Sequence, residues 1–217
     1  MGYQEHDIDL LSKLIIVCAT YIKRLQVKNY DLRKVIKVSC LIKVNEAMNI
    51  LSKSIISNPS NCDSIQSLDQ LIQSLVKLMM NRCLYFNYTK LMIATSNIRM
   101  SSRNILFLIQ TFGDAGIQSF LTELCYTGAL TANISIWNRF NDTEVWSSLY
   151  SITSYVHDLK YGRKIPYIDA QMDLFKLSEE QIECKGGNEE FEPYLMTKQE
   201  RLYDEAKQIK NITSNQF

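Results

Sequence analysis

The sequence predicts an all-α fold, a compact bundle of about seven or eight helices closing with a polar C-terminal helix, and three observations carry that expectation. Apolar residues return at helical spacing along most of the 217 residues. Only seven glycines and three prolines punctuate the chain, too few for the many turns of a sandwich or barrel. Apolar residues make up 46% of it and charged residues 22%, a balance that buries a sizeable core and excludes wholesale disorder.

The elements follow in order. Asp7 and Asp9 suit a helix N-terminus, where carboxylates meet unpaired backbone N–H groups. Ile8, Leu11, Ile15, Cys18, Ile22 and Leu25 then recur in steps of three and four, one face of a first helix. Asp31 caps a second helix running to about Ser57, with its stripe at Leu41, Val44, Met48, Leu51 and Ile55. The tract Asn58-Pro59-Ser60-Asn61 is a loop, because proline disfavours helix in the residue before it. A third helix begins at Asp63 or Ser64, with Gln66 placed for a capping box. Its stripe runs through Ile65, Leu68, Ile72, Leu75, Met79, Cys83 and Phe86, and the pattern extends towards Arg99, as one helix or as two parted near Asn87. Ser101-Ser102 starts a shorter helix that Gly113-Asp114-Ala115-Gly116 closes.

From Ile117 to about Phe140 the chain is apolar on most sides, the mark of a buried central helix. Asn141-Asp142-Thr143-Glu144 is an N-cap signature for the next helix, which carries Trp146, Leu149, Ile152, Val156 and Leu159 on one face. The run Tyr161 to Pro166 stops that helix and places Pro166 in the first turn of a short helix over 167–177. Residues 178–195 carry six glutamates around Gly186-Gly187 and Pro193, the composition of a solvated linker. Thr197 and Glu200 form a second capping box, opening a polar helix to about Ile209. The expected domains are therefore a helical bundle over 1–177 and an acidic linker with a polar helix over 178–217.

Six cysteines form no C-x-x-C pair, and neither His6 nor His157 stands at zinc-ligand spacing from one. Cys18, Cys40, Cys83 and Cys125 fall inside helical patterns, where a reduced thiol packs as a small apolar residue. The N-terminus MGYQEHDIDL is acidic where a secretory signal is basic. The longest apolar run, Leu14 to Ala19, is six residues, against the roughly 20 that span a bilayer. A cytoplasmic protein is the expectation.

Charge is the most informative feature. The formal net charge is +1, yet residues 1–113 hold 14 Lys and Arg against 7 Asp and Glu, and residues 114–217 hold 10 against 16. The first part is thus +7 and the second −6. Lys23, Arg24, Lys28, Arg33, Lys34, Lys37, Lys43, Lys77, Arg82, Lys90, Arg99 and Arg103 are the candidate contacts to a phosphate backbone. Tyr85, Phe86 and Tyr88 lie among them as candidate stacking platforms for bases. The competing account pairs cationic helices with anionic ones, within one molecule, with an acidic protein partner or between copies of the chain.

Catalytic constellations are sparse. Asp169 and Asp173 are four apart on the expected short helix, so two carboxylates share a face and suit a divalent ion. His157 and Asp158 are sequence neighbours and diverge by about 100° on a helix, and no nucleophile-elbow pattern accompanies them. Gly113 to Gly116 lacks the strand and the Lys-Ser/Thr of a phosphate-binding loop. The basic turn Gly162-Arg163-Lys164 has no aromatic platform beside it. No catalytic residue, metal ligand or cofactor is assigned. The expected function is a non-enzymatic binding and assembly protein that contacts RNA through its basic half and self-associates. Two alternatives stand beside it: a helical module, adaptor or host-factor antagonist, gripping a partner helix in an apolar groove, and a metal-dependent enzyme using Asp169 and Asp173. Usage rich in Asn, Ile, Lys and Tyr fits an AT-rich coding sequence, as in many parasites, endosymbionts and viruses.

Overall fold

Helical spacing in the sequence becomes helix almost throughout. The computed structural model describes residues 5–27, 38–61, 69–80, 89–137 and 142–214, and among them stand ten α-helices and one two-stranded hairpin. None of these helices is long and apolar enough to cross a membrane. The chain divides into two compact units, Met1–Gly113 and Asp114–Phe217.

Met1–Gly113 contains α1 (Glu5–Val27), α2 (Val38–Ser57), α3 (Asp69–Met79) and α4 (Thr89–Phe112). α4 packs along α2 and α3, and α1 packs against the same two helices. The stripe read on α2 is the buried one: Leu41, Val44, Met48, Leu51 and Ile55 all leave water. Ile8 and Ile15 on α1, and Ile72, Leu75 and Met79 on α3, do the same. Asn61 closes the end of α2 by donating its amide to the Ser54 carbonyl and hydroxyl, at 3.1 and 2.8 Å.

The expected helix start at Ser101-Ser102 is not one, since α4 runs straight through it. Ser101 donates its hydroxyl to Asn45 Oδ1 at 2.7 Å, with Asn49 Oδ1 3.2 Å away, which links α4 to α2. Ser102 donates to the Ile98 carbonyl one turn back, at 2.7 Å. Serine suits a cap and a buried helix crossing for one reason: its short hydroxyl reaches a nearby acceptor. The caps expected at Asp31, Asp63 or Ser64 with Gln66, and the break near Asn87, lie outside the described residues.

Asp114–Phe217 contains α5 (Ala115–Glu123), α6 (Tyr126–Trp137), α7 (Asp142–Tyr161), β1 (Arg163–Lys164), β2 (Tyr167–Ile168), α8 (Met172–Glu183), α9 (Gly187–Leu195) and α10 (Glu200–Ser214). Asp114 caps α5, its Oδ1 accepting from the Ile117 N–H at 2.9 Å. The single helix expected from Ile117 is divided at Leu124-Cys125, where Cys125 takes a φ of 58°. The Cys125 N–H closes on the Thr122 carbonyl, and its own carbonyl accepts from Ala129 as α6 begins. The central role is retained by α6, which is buried at every residue from Tyr126 to Ile134. It packs on α5, α7, α8 and α9.

α7 buries Leu149, Ile152, Val156 and Leu159, as its spacing predicts, while Trp146 of the same expected face is only half-buried, and α10 lies along the helix. Polar in composition, α10 still carries a buried stripe of Leu202, Ala206, Ile209 and Ile212. Lys160 donates to the Ile212 carbonyl near the end of α10, where a cation meets the helix dipole.

The expected linker over 178–195 is helical instead. α8 crosses position 177/178, and α9 follows after a turn. Ile182, Phe191 and Tyr194 are buried, so most of the glutamates are outer faces of packed helices. Gly187 passes so close to Ile182 that a β-carbon there would collide with its side chain and carbonyl. The second capping box does not form either: Thr197 Oγ1 accepts from the Gln199 N–H at 3.3 Å, and the Gln199 carbonyl takes the first N–H groups of α10.

A buried polar network joins α5, α6, α7 and α8. The Tyr155 hydroxyl donates to the Gln118 carbonyl at 2.6 Å and lies 2.8 Å from Thr122 Oγ1. Gln181 donates to the Thr122 carbonyl at 2.7 Å and accepts from Thr127 Oγ1 at 2.8 Å. Gln171 donates to Gln118 Oε1 at 3.1 Å. Burial pushes the Tyr155 phenol well above the ordinary tyrosine range, with Thr122 only partly opposing the shift. Burial also raises Tyr194 to about 12. A phenol raised in the folded state contributes stability below its unfolded pKa of about 10 and loses it as pH climbs beyond that value. Unfolding monitored by circular dichroism should therefore show falling stability at alkaline pH. Tyr155→Phe should cost about 1–3 kcal/mol at neutral pH, by stranding buried acceptors, and should flatten the alkaline slope.

Candidate functional site

Two kinds of surface stand out, one of charge and one of uncovered apolar side chains. The charge seam found in the sequence falls at Gly113/Asp114, where the structure divides into its two units. The basic set is therefore carried by one folded unit and the acidic excess by another.

The twelve candidate cations do not form one exposed face. Lys43 on α2, Lys77 on α3 and Lys90 on α4 are exposed. Arg99 and Arg103, one turn apart on α4, are only 3% exposed each and are held within the fold. A phosphate backbone cannot reach them there, so they leave the contact set. Lys23 and Arg24 belong to α1, though their side chains are not described, and Lys28, Arg33, Lys34, Lys37 and Arg82 lie outside the described residues. So do Tyr85, Phe86 and Tyr88.

α1 carries a second apolar stripe besides the one it buries. Leu10, Leu14 and Val17 are spaced by four and three, and they are 62%, 44% and 65% exposed. Asp9 and Lys13 flank them and pair at 2.7 Å. A helix that is apolar on two faces calls for cover on both. The unbroken run from Leu14 to Ala19 is the trace of these two stripes interleaved, and it was legible without the structure.

A further uncovered surface is the hairpin after α7, which replaces the start of the expected 167–177 helix. Gly162 turns the chain with a φ of 75°, and a β-carbon there would stand 2.6 Å from the Ile168 carbonyl oxygen. β1 and β2 pair antiparallel with Arg163 opposite Ile168 and Lys164 opposite Tyr167. Strand alternation turns Ile168 inward and Tyr167 outward. Arg163 pins the base, with Nη1 3.3 Å from Asp158 Oδ2 and Nε donating to the Pro166 carbonyl at 3.3 Å. The Gln171 N–H adds a bond to the Leu159 carbonyl at 2.7 Å. Burial holds the Asp158 carboxyl above its usual range, against the opposing pull of Arg163 and then His157. The Tyr167 hydroxyl donates to Asp169 Oδ1 at 2.6 Å, which raises its own pKa. On this pinned frame Ile165 is 87% exposed and Tyr167 75% exposed, beside an exposed Tyr161. Gly162 followed by Pro166, with Tyr167-Ile168 behind, is the turn signal that a helical reading of Pro166 overlooks.

The metal reading loses its geometry here. Asp169 belongs to the segment after β2 and Asp173 to the first turn of α8, so they share no helical face. Asp169 is also engaged by Tyr167. Among the described residues no group of three or more His, Cys, Asp or Glu could hold a metal ion. His157 Nδ1 comes to 3.7 Å from Asp158 Oδ1, nearer than helical divergence suggests and still long for a hydrogen bond. The His157 ring tilts against Tyr161 at 5.0 Å. Cys40, expected in the core, is exposed, and burial raises Cys18 to about 11.

The chain matches no protein-family model, no curated protein and no solved structure.

Gly162→Ala tests how firmly the hairpin is held. Left-handed backbone costs an L-residue about 1–2 kcal/mol, and the contact with the Ile168 carbonyl adds to it. Denaturant unfolding should register a loss of at least that size, and an unchanged midpoint would contradict the described turn.

Proposed function

We propose that this chain is a non-enzymatic binding and assembly protein whose basic unit, Met1–Gly113, contacts the phosphate backbone of RNA and whose copies associate with one another. The supporting observation is the coincidence of charge seam and unit boundary at Gly113/Asp114. A +7 excess confined to one folded unit attracts a polyanion that a −6 unit repels. Each phosphate neutralised releases condensed counterions, which makes such binding strongly salt-dependent. Lys43, Lys77 and Lys90 are exposed on that unit, and Lys34 and Lys37 belong to its densest basic stretch.

The second reading, a helical module that grips a partner, draws on the uncovered stripe of α1. It shares the absence of chemistry with the first and differs in its ligand.

Anisotropy of a labelled mixed-sequence single-stranded RNA separates the two. Binding should be firm at low salt and fall steeply as salt rises, with a log–log slope of about −0.7 per phosphate contacted. Lys34→Glu with Lys37→Glu should weaken it and reduce that slope by roughly 1.4. Binding that ignores salt, or no binding at low salt, would overturn the RNA reading and leave the protein-partner reading in place.

A further inference from the structure

Gly128 marks a close approach of α6 to α8, and two thiols belong to the segments that meet there. A β-carbon at Gly128 would lie 2.6 Å from Cys125 Sγ, and 3.4 Å from both the Gln181 carbonyl oxygen and Lys185 Cγ. Glycine therefore leaves the room that the sulfur fills, and it sets Cys125 against the end of α8. Polar bonds hold the two sides together on either flank of the thiol. Gln181 donates to the Thr122 carbonyl at 2.7 Å and accepts from Thr127 Oγ1 at 2.8 Å. Cys184 is the C-cap of α8, its N–H donating to the Glu180 carbonyl at 2.9 Å. It stands between Gln181 and Lys185, the two residues of this segment that Gly128 approaches. Residues three apart on a helix are neighbours, which places Cys184 one turn above Gln181. Cys184 is exposed and Cys125 half-buried, so an oxidant in solution reaches both. Cys18 and Cys40 belong to the other unit.

The geometry points to Cys125 and Cys184 as a redox pair, which hydrogen peroxide joins in a disulfide stapling the α5–α6 turn to the end of α8. The exposed Cys184 thiolate attacks one peroxide oxygen. An S–O bond forms, the O–O bond breaks, and the departing hydroxide leaves as water with the proton that the thiol gave up. Cys125 then attacks the sulfenic sulfur of Cys184. The S–S bond forms, the S–O bond breaks, and a second hydroxide leaves as water with the Cys125 proton. The two sulfurs lose two electrons, and one peroxide is reduced to two waters. A small thiol reverses the bond by exchange, so the staple is transient wherever thiols are in excess. The loop it closes contains α6, α7 and α8, the helices that the Tyr155 network draws together. This inference concerns Asp114–Phe217 alone and rests on neither RNA contact nor self-association.

Peroxide treatment of the reduced, full-length chain tests the pair. Iodoacetamide then caps the remaining thiols, and proteolysis without reductant shows which peptides are joined. The Cys125 peptide should be linked to the Cys184 peptide, in a chain that migrates as a monomer and has lost two hydrogens in mass. Cys184→Ser and Cys125→Ser should each abolish the link. Cys184 is exposed, so its serine variant should fold as before, and circular dichroism checks that it does. In Cys125→Ser, dimedone should trap the sulfenic acid stranded at Cys184. The oxidised chain should unfold at a higher denaturant concentration than the reduced one, because a closed loop narrows the unfolded ensemble. Cys184→Ser should lose that gain. Oxidation in denaturant, with the helices gone, should scatter the links among the six cysteines. The same scatter from the folded chain overturns the inference, as do Cys125 and Cys184 both capped by iodoacetamide after peroxide, or either one linked to a second molecule.

Discussion

The hydroxyl of Tyr155 sits where no water reaches it, and the arrangement of Asp114–Phe217 is organised around giving it partners. Its bond to the Gln118 carbonyl ties α7 to α5, and Thr122 stands beside both. From Thr122 and Gln118 the same set of bonds continues through Gln181 and Gln171, bringing in α8 and, by way of Thr127, α6. Apolar packing alone tolerates sliding, because one methyl group resembles another. A buried hydroxyl and three buried or half-buried glutamines do not, since an unmet donor or acceptor inside a protein is expensive. The ring of Tyr155 adds a directional contact of its own, edge-on to Tyr126 at 5.4 Å. The helix break at Leu124-Cys125 belongs to this scheme, for it stands between Thr122 and Thr127, which both meet Gln181.

Periodicity read the interior well and the punctuation less so. The stripe of α2, and that of α7 apart from the half-buried Trp146, are buried where spacing places them, because an amphipathic helix has one way to face a core. Ser101-Ser102 misled, since serine's preference for caps and its usefulness at a helix crossing arise from the same short hydroxyl. Cys125 gave no warning at all; a left-handed cysteine is not something that composition announces. The glutamates of 178–195 hid two helices because charge was weighed above Ile182, Phe191 and Tyr194, spaced for burial between them. Asp7 and Asp9 lie inside α1, which already includes Glu5, and the other expected caps of the first unit, at Asp31, Asp63, Ser64 and Gln66, lie outside the described residues.

Charge behaved differently from pattern. Its division into two opposite halves falls in the uncharged stretch 104–113, at whose end the folded units part, although nothing in charge counting knows about packing. Individual cations were less faithful. Arg99 and Arg103 lie on the same helix as the exposed Lys90 and are nonetheless buried. A long aliphatic stem lets arginine pack in an interior position, so net charge predicts the field of a unit better than it predicts which side chains make contact.

The seating of α1 has a consequence for how the first unit finds its structure. Its inward face includes Ser12 and Ala19 among Ile8 and Ile15, and its outward face offers Leu10, Leu14 and Val17. Oil-like affinity would gain as much from the outward face, and among the described residues the buried Ser12 hydroxyl has no hydrogen-bond partner to argue for its side. Size decides instead. Small residues at 12 and 19 let the α1 backbone approach α2 and α3, where a leucine would hold it off. The helix is thus oriented by clearance rather than by greasiness, and bulk added at Ser12 or Ala19 would tend to roll it about its own axis.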